Sequence, residues 1–432
     1  MIYELLIILI IMMLISYSFC GKDFFAPATM LLIGFIFSVL SAIYNLRLWK
    51  FTLSSFTVAI VVSALALSVV INATIHHVVQ KTNFVLKVKE ESKINRKITV
   101  CVLILQLFVV AIMLQQVRRI GGSGSLASVM VLYRAKTAYG TNLSDQLPGW
   151  IRQLLNFSSV LSYIYLYNIF QFYKSMKRRE LIGCILVPVI SSIASLLTGG
   201  RFATMALIVG AMVMWCLVRI KRTGMQRVFR IRTIIAFVVV GILAMYLFWV
   251  SKNLVGRTGD SDILSYITHY SGGSIPGLDL YFKNPPSKSY IWGKETFYSL
   301  NNGLRKLGVL DIPYYYIHHE FRQSGGISIG NVYTALRDYH YDFGTFGLFF
   351  LHFVFSACIS TLYEVEKKRH STIGIMLNGI LYQCVVFYTV SNYFFATFVG
   401  FGFLIKLVML VILYELLIRK RVKVTCRVGK YH

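Results

Sequence analysis

Runs of roughly 20 predominantly apolar residues recur along this chain, the length a helix needs to cross the hydrocarbon core of a bilayer. Eleven runs are read, at 2–20, 24–44, 53–75, 98–117, 151–173, 181–198, 202–218, 233–250, 343–363, 372–390 and 393–418. The expected fold is all-α: a polytopic integral membrane protein of about 11 transmembrane helices, with residues 1–432 forming a single membrane domain. The first run does not read as a signal peptide, because Glu4 stands where a basic region belongs and further spans follow. Between the sixth and seventh runs stand only Thr198, Gly199, Gly200 and Arg201, which puts a permanent cation in a very tight gap.

Composition agrees with a membrane solvent. The chain is 56% hydrophobic and 14% charged, against about 25% charged in an ordinary soluble domain. Its formal charge of +27 is concentrated at 81–97, 174–179, 219–232, 367–369 and 419–430, all at span ends. With eleven spans these clusters fall on one side, which the positive-inside rule makes the cytoplasm; Arg47 and Lys50 fall on the other. The charge is therefore a topology signal, and no nucleic acid is expected as partner. The inner basic loops either anchor topology or meet a chain-length regulator.

Two sizeable segments then lie outside, 118–150 and the large loop 251–342 between spans 8 and 9, with nine Lys/Arg and eight Asp/Glu in the latter. Six cysteines fall in spans and Cys426 in the inner tail, so no disulfide framework is available. No CxxC or HExxH occurs, and neither a metal nor a cofactor is expected.

The large loop is rich in aromatics, among them Tyr333, Tyr339 and Tyr341, whose faces suit either local packing at the membrane interface or stacking on sugar rings. Its end reads SIGNVYTALRDYHYDFGTFG, residues 328–347. A short helix is expected from Asn331 to Leu336, with Arg337 on its last turn and Asp342 capping the next span. His318, His319 and Glu320 form a second polar cluster that supplies a base or is simply exposed. His76 and His77 receive no role. GGSGS at 121–125 reads as a flexible loop, and the glycosylation sequon Asn142-Leu143-Ser144 as chance. In the turn at 198–201, Gly199 and Gly200 permit close backbone approach. The following span starts there, so its free N–H groups and dipole add to the Arg201 fork to make an anion site suited to a lipid pyrophosphate. The competing reading is an arginine snorkelling out of a hairpin.

A GGR turn opening a span, a long outer loop, and then NVYTALRDYHYDFGTFG together resemble the oligosaccharide repeat-unit polymerases, the Wzy-type polymerases of bacterial O-antigen and capsule synthesis. The matching positions are Arg201 upstream, then Asn331, Tyr333, Thr334, Asp342, Phe343, Gly344 and Gly347. The resemblance implies a GT-C-like glycosyltransferase of the bacterial cytoplasmic (inner) membrane. It would move a glycan from undecaprenyl pyrophosphate to a lipid-linked repeat unit outside the cytoplasm, without a metal. Arg201 and Arg337, with Gly199 and Gly200, would hold the pyrophosphate. Asp342 would act as base, with His319 or Glu320 as second choice, and Asn331, Tyr333, Tyr339 and Tyr341 would face sugar. An O-antigen ligase using the same donor, and a lipid-linked oligosaccharide flippase or other transporter, stay open beside it.

Overall fold

A computed structural model describes residues 1–83, 90–139, 145–224, 228, 231–257 and 262–419. The sequon at 142–144, Cys426, most of the inner tail and parts of the basic clusters at 81–97 and 219–232 lie outside the described residues.

Among the described residues eight helices are long and apolar enough to cross a membrane: Ile2–Phe19, Pro27–Tyr44, Ser55–Lys81, Arg96–Gly121, Arg178–Leu196, Phe202–Thr223, Ile231–Leu254 and Ala335–Arg369. Among the described residues strand is confined to a two-stranded hairpin, Arg322–Ser324 with Ile327–Gly330. The chain is a multi-pass membrane protein of the all-α class. The other three expected runs are helical but fall short of that standard. Gly149–Phe172 is long but interrupted by Arg152, Asn156 and Asn168. The run at 372–390 gives a ten-residue helix, Thr372–Leu381, then Gln383–Val386. The last run gives a π turn at Phe394–Phe398 and a 17-residue helix, Phe401–Leu417.

Several expectations shift by local physics. The GGSGS run is a tight turn between helices rather than an open loop: Gly121 ends one helix, and the Ser125 side chain caps Leu126–Arg134 by accepting from the Ser128 N–H. Asn331–Leu336 is not a helix. The helix starts at Ala335 behind Thr334 in extended conformation, so Arg337 lies in its first turn, not its last. Asp342 accordingly lies inside this helix and caps no span. The helix breaks at Gly344, where φ is 67°. That left-handed value favours glycine, and it separates the short Arg337-bearing piece from the membrane-spanning piece.

The spanning part of that helix packs along Ser55–Lys81 through a polar seam. The Ser68 hydroxyl meets His352 Nε2 at 2.7 Å and the Ser356 hydroxyl at 2.8 Å, and His352 Nδ1 meets the Tyr388 hydroxyl at 2.6 Å. Interhelical hydrogen bonds of this kind contribute roughly 0.6 kcal/mol each on average, so the seam sets register more than stability. At one end of the bundle it closes on Asp23, Glu364 and Lys367: Lys367 Nζ lies 3.0 Å from Asp23 and 2.9 Å from Glu364, and His76 Nδ1 2.8 Å from Glu364. The described basic residues Lys93, Lys367 and Lys368 gather at this end, as alternating spans require. The described parts of segments 118–150 and 251–334 gather at the opposite end, where Asp279 accepts from the Ser54 and Thr57 hydroxyls at the start of Ser55–Lys81.

Candidate functional site

At that opposite end the large loop folds around one buried arginine. Arg337 is 1% exposed. Its guanidinium pairs with Glu295 through Nη1, with Glu320 Oε2 at 2.7 Å through Nη2, and stands 3.5 Å from Asp338 Oδ1. The rings of Tyr333, Tyr281 and Tyr341 surround it, with centroids 4.8, 5.1 and 5.6 Å from its central carbon. A charge so far from water is tolerable only when paired, and three separate stretches of the loop supply the partners. Glu295 comes from the turn before Tyr298–Lys306. Glu320 comes from the stretch entering the hairpin, where Arg322 holds its second oxygen at 2.7 Å. Asp338 is the next residue of the helix itself, where its charge also suits the helix N-terminus.

His319 completes the cluster, with Nε2 3.2 Å from Asp338 Oδ1 and 3.7 Å from Glu295 Oε2. The His319–Asp338 pair is close but not aligned as a hydrogen bond, and both atoms are buried without one. Glu295, Glu320 and Asp338 carry one more charge than Arg322 and Arg337 can balance. The imbalance falls on Glu295. Burial first, and then the Asp338 charge, outweigh Arg337 and raise its carboxyl to about 7. Glu320 goes the other way: burial works to raise it, but Arg322 and Arg337 prevail and hold it below the usual range. One carboxylate thus titrates near neutrality while its neighbour stays ionised, the separation that acid–base chemistry uses.

Donor atoms of Glu295, His319 and Asp338 lie within 4.8 Å of one another, close enough to surround a metal ion. The Arg337 guanidinium already touches two of the three residues. A divalent ion would sit directly against a fixed positive charge, so these residues fit a metal poorly and the resident cation is the arginine.

The other residues singled out from sequence have definite places. Asp342 Oδ2 accepts the backbone N–H groups of Glu295 and Thr296 at 3.1 and 2.7 Å, so it braces the turn that presents Glu295. Tyr333 donates to the Glu320 carbonyl at 2.8 Å, Tyr339 to Asn392 Oδ1 at 3.3 Å, and Tyr341 to the Ser287 carbonyl at 2.8 Å. All three rings are buried; Tyr333 and Tyr341 wall the site instead of presenting an open face, and Tyr339 packs against Tyr388 and Phe395. Asn331 is half-buried beside the hairpin. Arg337 offers no open fork for phosphate, because carboxylates occupy it.

Arg201 stands elsewhere at this end and in the opposite situation. It is 4% exposed. Nη1 donates to the Phe248 carbonyl at 2.6 Å and Nη2 to the Tyr266 hydroxyl at 2.8 Å, while the guanidinium lies over the Phe248 ring at 3.7 Å. It does not snorkel outward. Among the described residues no carboxylate pairs with it. Gly199 has φ 80°, and the turn it makes brings the chain against the stem of Arg134. Tyr266 and Tyr270 also carry Lys252 and Arg257, at 5.6 and 5.5 Å from the respective ring centroids. Phe202–Thr223 begins here without a side-chain cap, and the Thr204 hydroxyl in its first turn is buried without a partner.

Sequence reasoning missed Glu295, Lys252 and Arg257, and it noted Asp338 among the charges at 337–342 without giving it a role. A signal for Glu295 exists: it and Glu320 are the two glutamates of the outer loop, and a buried Arg337 needs carboxylates. Compared with family models, curated proteins and solved structures, the chain matches none.

Proposed function

We propose that this chain is a polysaccharide repeat-unit polymerase: a metal-independent glycosyltransferase, crossing a bacterial inner membrane eleven times, with the Glu295 and Arg201 sites facing away from the cytoplasm. The observation that carries the reading is the pairing of two sites at one end of the bundle. One is a carboxylate poised near neutrality beside His319. The other is a caged arginine that no carboxylate among the described residues pairs with.

The chemistry needs both. An acceptor sugar hydroxyl attacks the anomeric carbon of the donor glycan, a new C–O bond forms, and the bond from that carbon to the pyrophosphate oxygen breaks. The lipid pyrophosphate leaves as an anion, and Arg201 with the N-terminus of Phe202–Thr223 stabilises it. The hydroxyl proton passes to ionised Glu295, which Asp342 positions through the backbone and Arg337 holds through its charge. His319, beside Asp338, stands next to receive it. Glu320 remains ionised and fixes Arg337.

The test is glycan length in cells lacking the protein. Loss of the long-chain ladder with a single repeat unit retained supports the polymerase. Loss of all surface sugar points to a flippase or ligase and refutes it.

A further inference from the structure

A cavity of about 340 Å³ opens at the same end of the bundle, outside both sites above. Arg119, Arg152, Arg305, Lys306 and Tyr314 line it, together with the chain at 146–149. Three helices deliver the four cations: Arg119 from the last turn of Arg96–Gly121, Arg152 from the first turn of Gly149–Phe172, and Arg305 and Lys306 from the last turn of Tyr298–Lys306. Among the described residues no carboxylate lines the cavity; Asp145 and Asp311, close in sequence, do not reach it. Among the described residues none of the four cations forms an ion pair.

Basic residues in a last helical turn have an ordinary use, since they complement the helix dipole. That accounts for Arg119, Arg305 and Lys306 one at a time. It does not account for their convergence with Arg152, which sits at a helix start, where a cation is unfavourable. The crowding has a cost: burial first, then Arg152 and Arg305, push the Lys306 ammonium below its ordinary range. The groups are also held in place. Arg152 Nε donates to the Leu147 carbonyl at 2.9 Å, and Arg305 lies over the Tyr314 ring at 5.0 Å with its Nε buried and unpartnered. Gly149–Phe172 points its N-terminus here behind Pro148, with no side-chain cap. A second cavity at the opposite end differs in kind, since its Lys93 is answered by Glu180 at 2.9 Å. The cations of the cavity near Tyr314 have no such partner among the described residues.

We infer that this cavity binds the pyrophosphate of the second lipid-linked glycan, the acceptor, so that the donor and acceptor lipids are gripped at separate places. The inference rests on the polymerase reading, in which both substrates carry a pyrophosphate. The spacing suits it. Tyr314 in the cavity wall and His319 beside Glu295 are five residues apart, at most about 18 Å of chain, a gap for the acceptor's sugars to bridge. The cavity and the Arg201 cage flank one small apolar cluster, in which Ile120 and Ile151 adjoin Arg119 and Arg152, and Tyr133 adjoins Arg134.

The test uses the full chain in nanodiscs, as wild type, Arg152→Gln/Arg305→Gln and Arg201→Gln. Binding of undecaprenyl pyrophosphate is titrated, with inorganic pyrophosphate and phosphatidylglycerol nanodiscs as separate arms. Wild type is expected to bind two undecaprenyl pyrophosphates, and each variant to lose a different one. In turnover, the double variant raises the acceptor KM about tenfold or more, leaving donor KM and kcat in place, a split that general misfolding does not give. Unchanged stoichiometry, or an unchanged acceptor KM, overturns the inference. So does equal occupancy by phosphatidylglycerol, which makes the cavity a general headgroup site. Inorganic pyrophosphate competing at the double-variant-sensitive site supports it. If no polymer forms but that site is still lost in the double variant, the polymerase reading falls while the anion cavity stands; if polymer forms and acceptor KM does not move, the reverse holds.

Discussion

Asp342 holds Glu295 by the backbone. Its carboxylate accepts the N–H groups of Glu295 and Thr296 at 3.1 and 2.7 Å, and the carboxylate it thereby presents is the one drawn up to about 7. The aspartate that read as a base in the sequence thus supports another carboxylate that does the proton work.

Asp342→Asn keeps one acceptor oxygen and loses the charge. It is expected to lower kcat about tenfold, since hydrogen bonds to a charged group contribute about 1.5–3 kcal/mol, while leaving substrate KM values within a factor of two or so. Steady-state turnover with lipid-linked repeat units checks this; a loss as complete as that of Glu295→Gln would return Asp342 to the role of base.

The raised Glu295 carboxyl fixes a pH dependence. Activity needs the ionised form, so kcat rises as pH climbs through about 7, and Glu295→Gln removes that limb together with most of the activity. Stability runs the other way. The folded protein keeps the Glu295 proton where an unfolded glutamate has lost it, so this group's contribution is full below about pH 4.5 and is lost as pH rises through 7. A pH–rate profile paired with a pH series of thermal unfolding reads both signs.

Arg337 and Arg201 are expected to fail differently. Arg337→Ala leaves Glu295, Glu320 and Asp338 facing one another in a buried site, a loss of about 3–5 kcal/mol, and should sharply lower Tm and yield. Arg201→Ala leaves no orphaned carboxylate; it should insert and melt near wild type yet lose polymer by about a hundredfold or more. Tm measured beside polymer yield in both variants separates structural from chemical arginine.

Chelation supplies a further check. Because Arg337 is the cation within the Glu295–His319–Asp338 cluster, EDTA treatment should leave turnover unchanged. A loss restored by a divalent ion would mean the guanidinium yields its place to metal.

The fold was more legible than the site. Apolar run length is a local property, and it located the spanning helices, matching Ile2–Phe19 to within a residue but missing the start of Ala335–Arg369 by eight. It overstated Thr372–Leu381 and Phe401–Leu417 because it cannot see a helix stop inside an apolar stretch. Pattern drew attention to Arg201, Arg337, His319 and Asp342, yet it cannot say what a side chain meets. Arg201 and Arg337 read alike as cations near a membrane surface; contacts across 42 residues to Glu295 and 47 to Phe248 make one an ion-pair hub and the other a cation held by neutral acceptors among the described residues. Glu295 carried only the weak signal of being one of two glutamates in the outer loop, since its environment is assembled from Glu320, Arg337 and Asp338, none of them its sequence neighbours.

The most direct measurement is reconstitution. Purified chain in liposomes, supplied only with undecaprenyl-pyrophosphate-linked repeat units and no nucleotide or metal, should build a ladder of longer glycans and release undecaprenyl pyrophosphate in step with each bond formed. Repeat units that stay single, whether untouched or merely moved across the bilayer, would contradict the account.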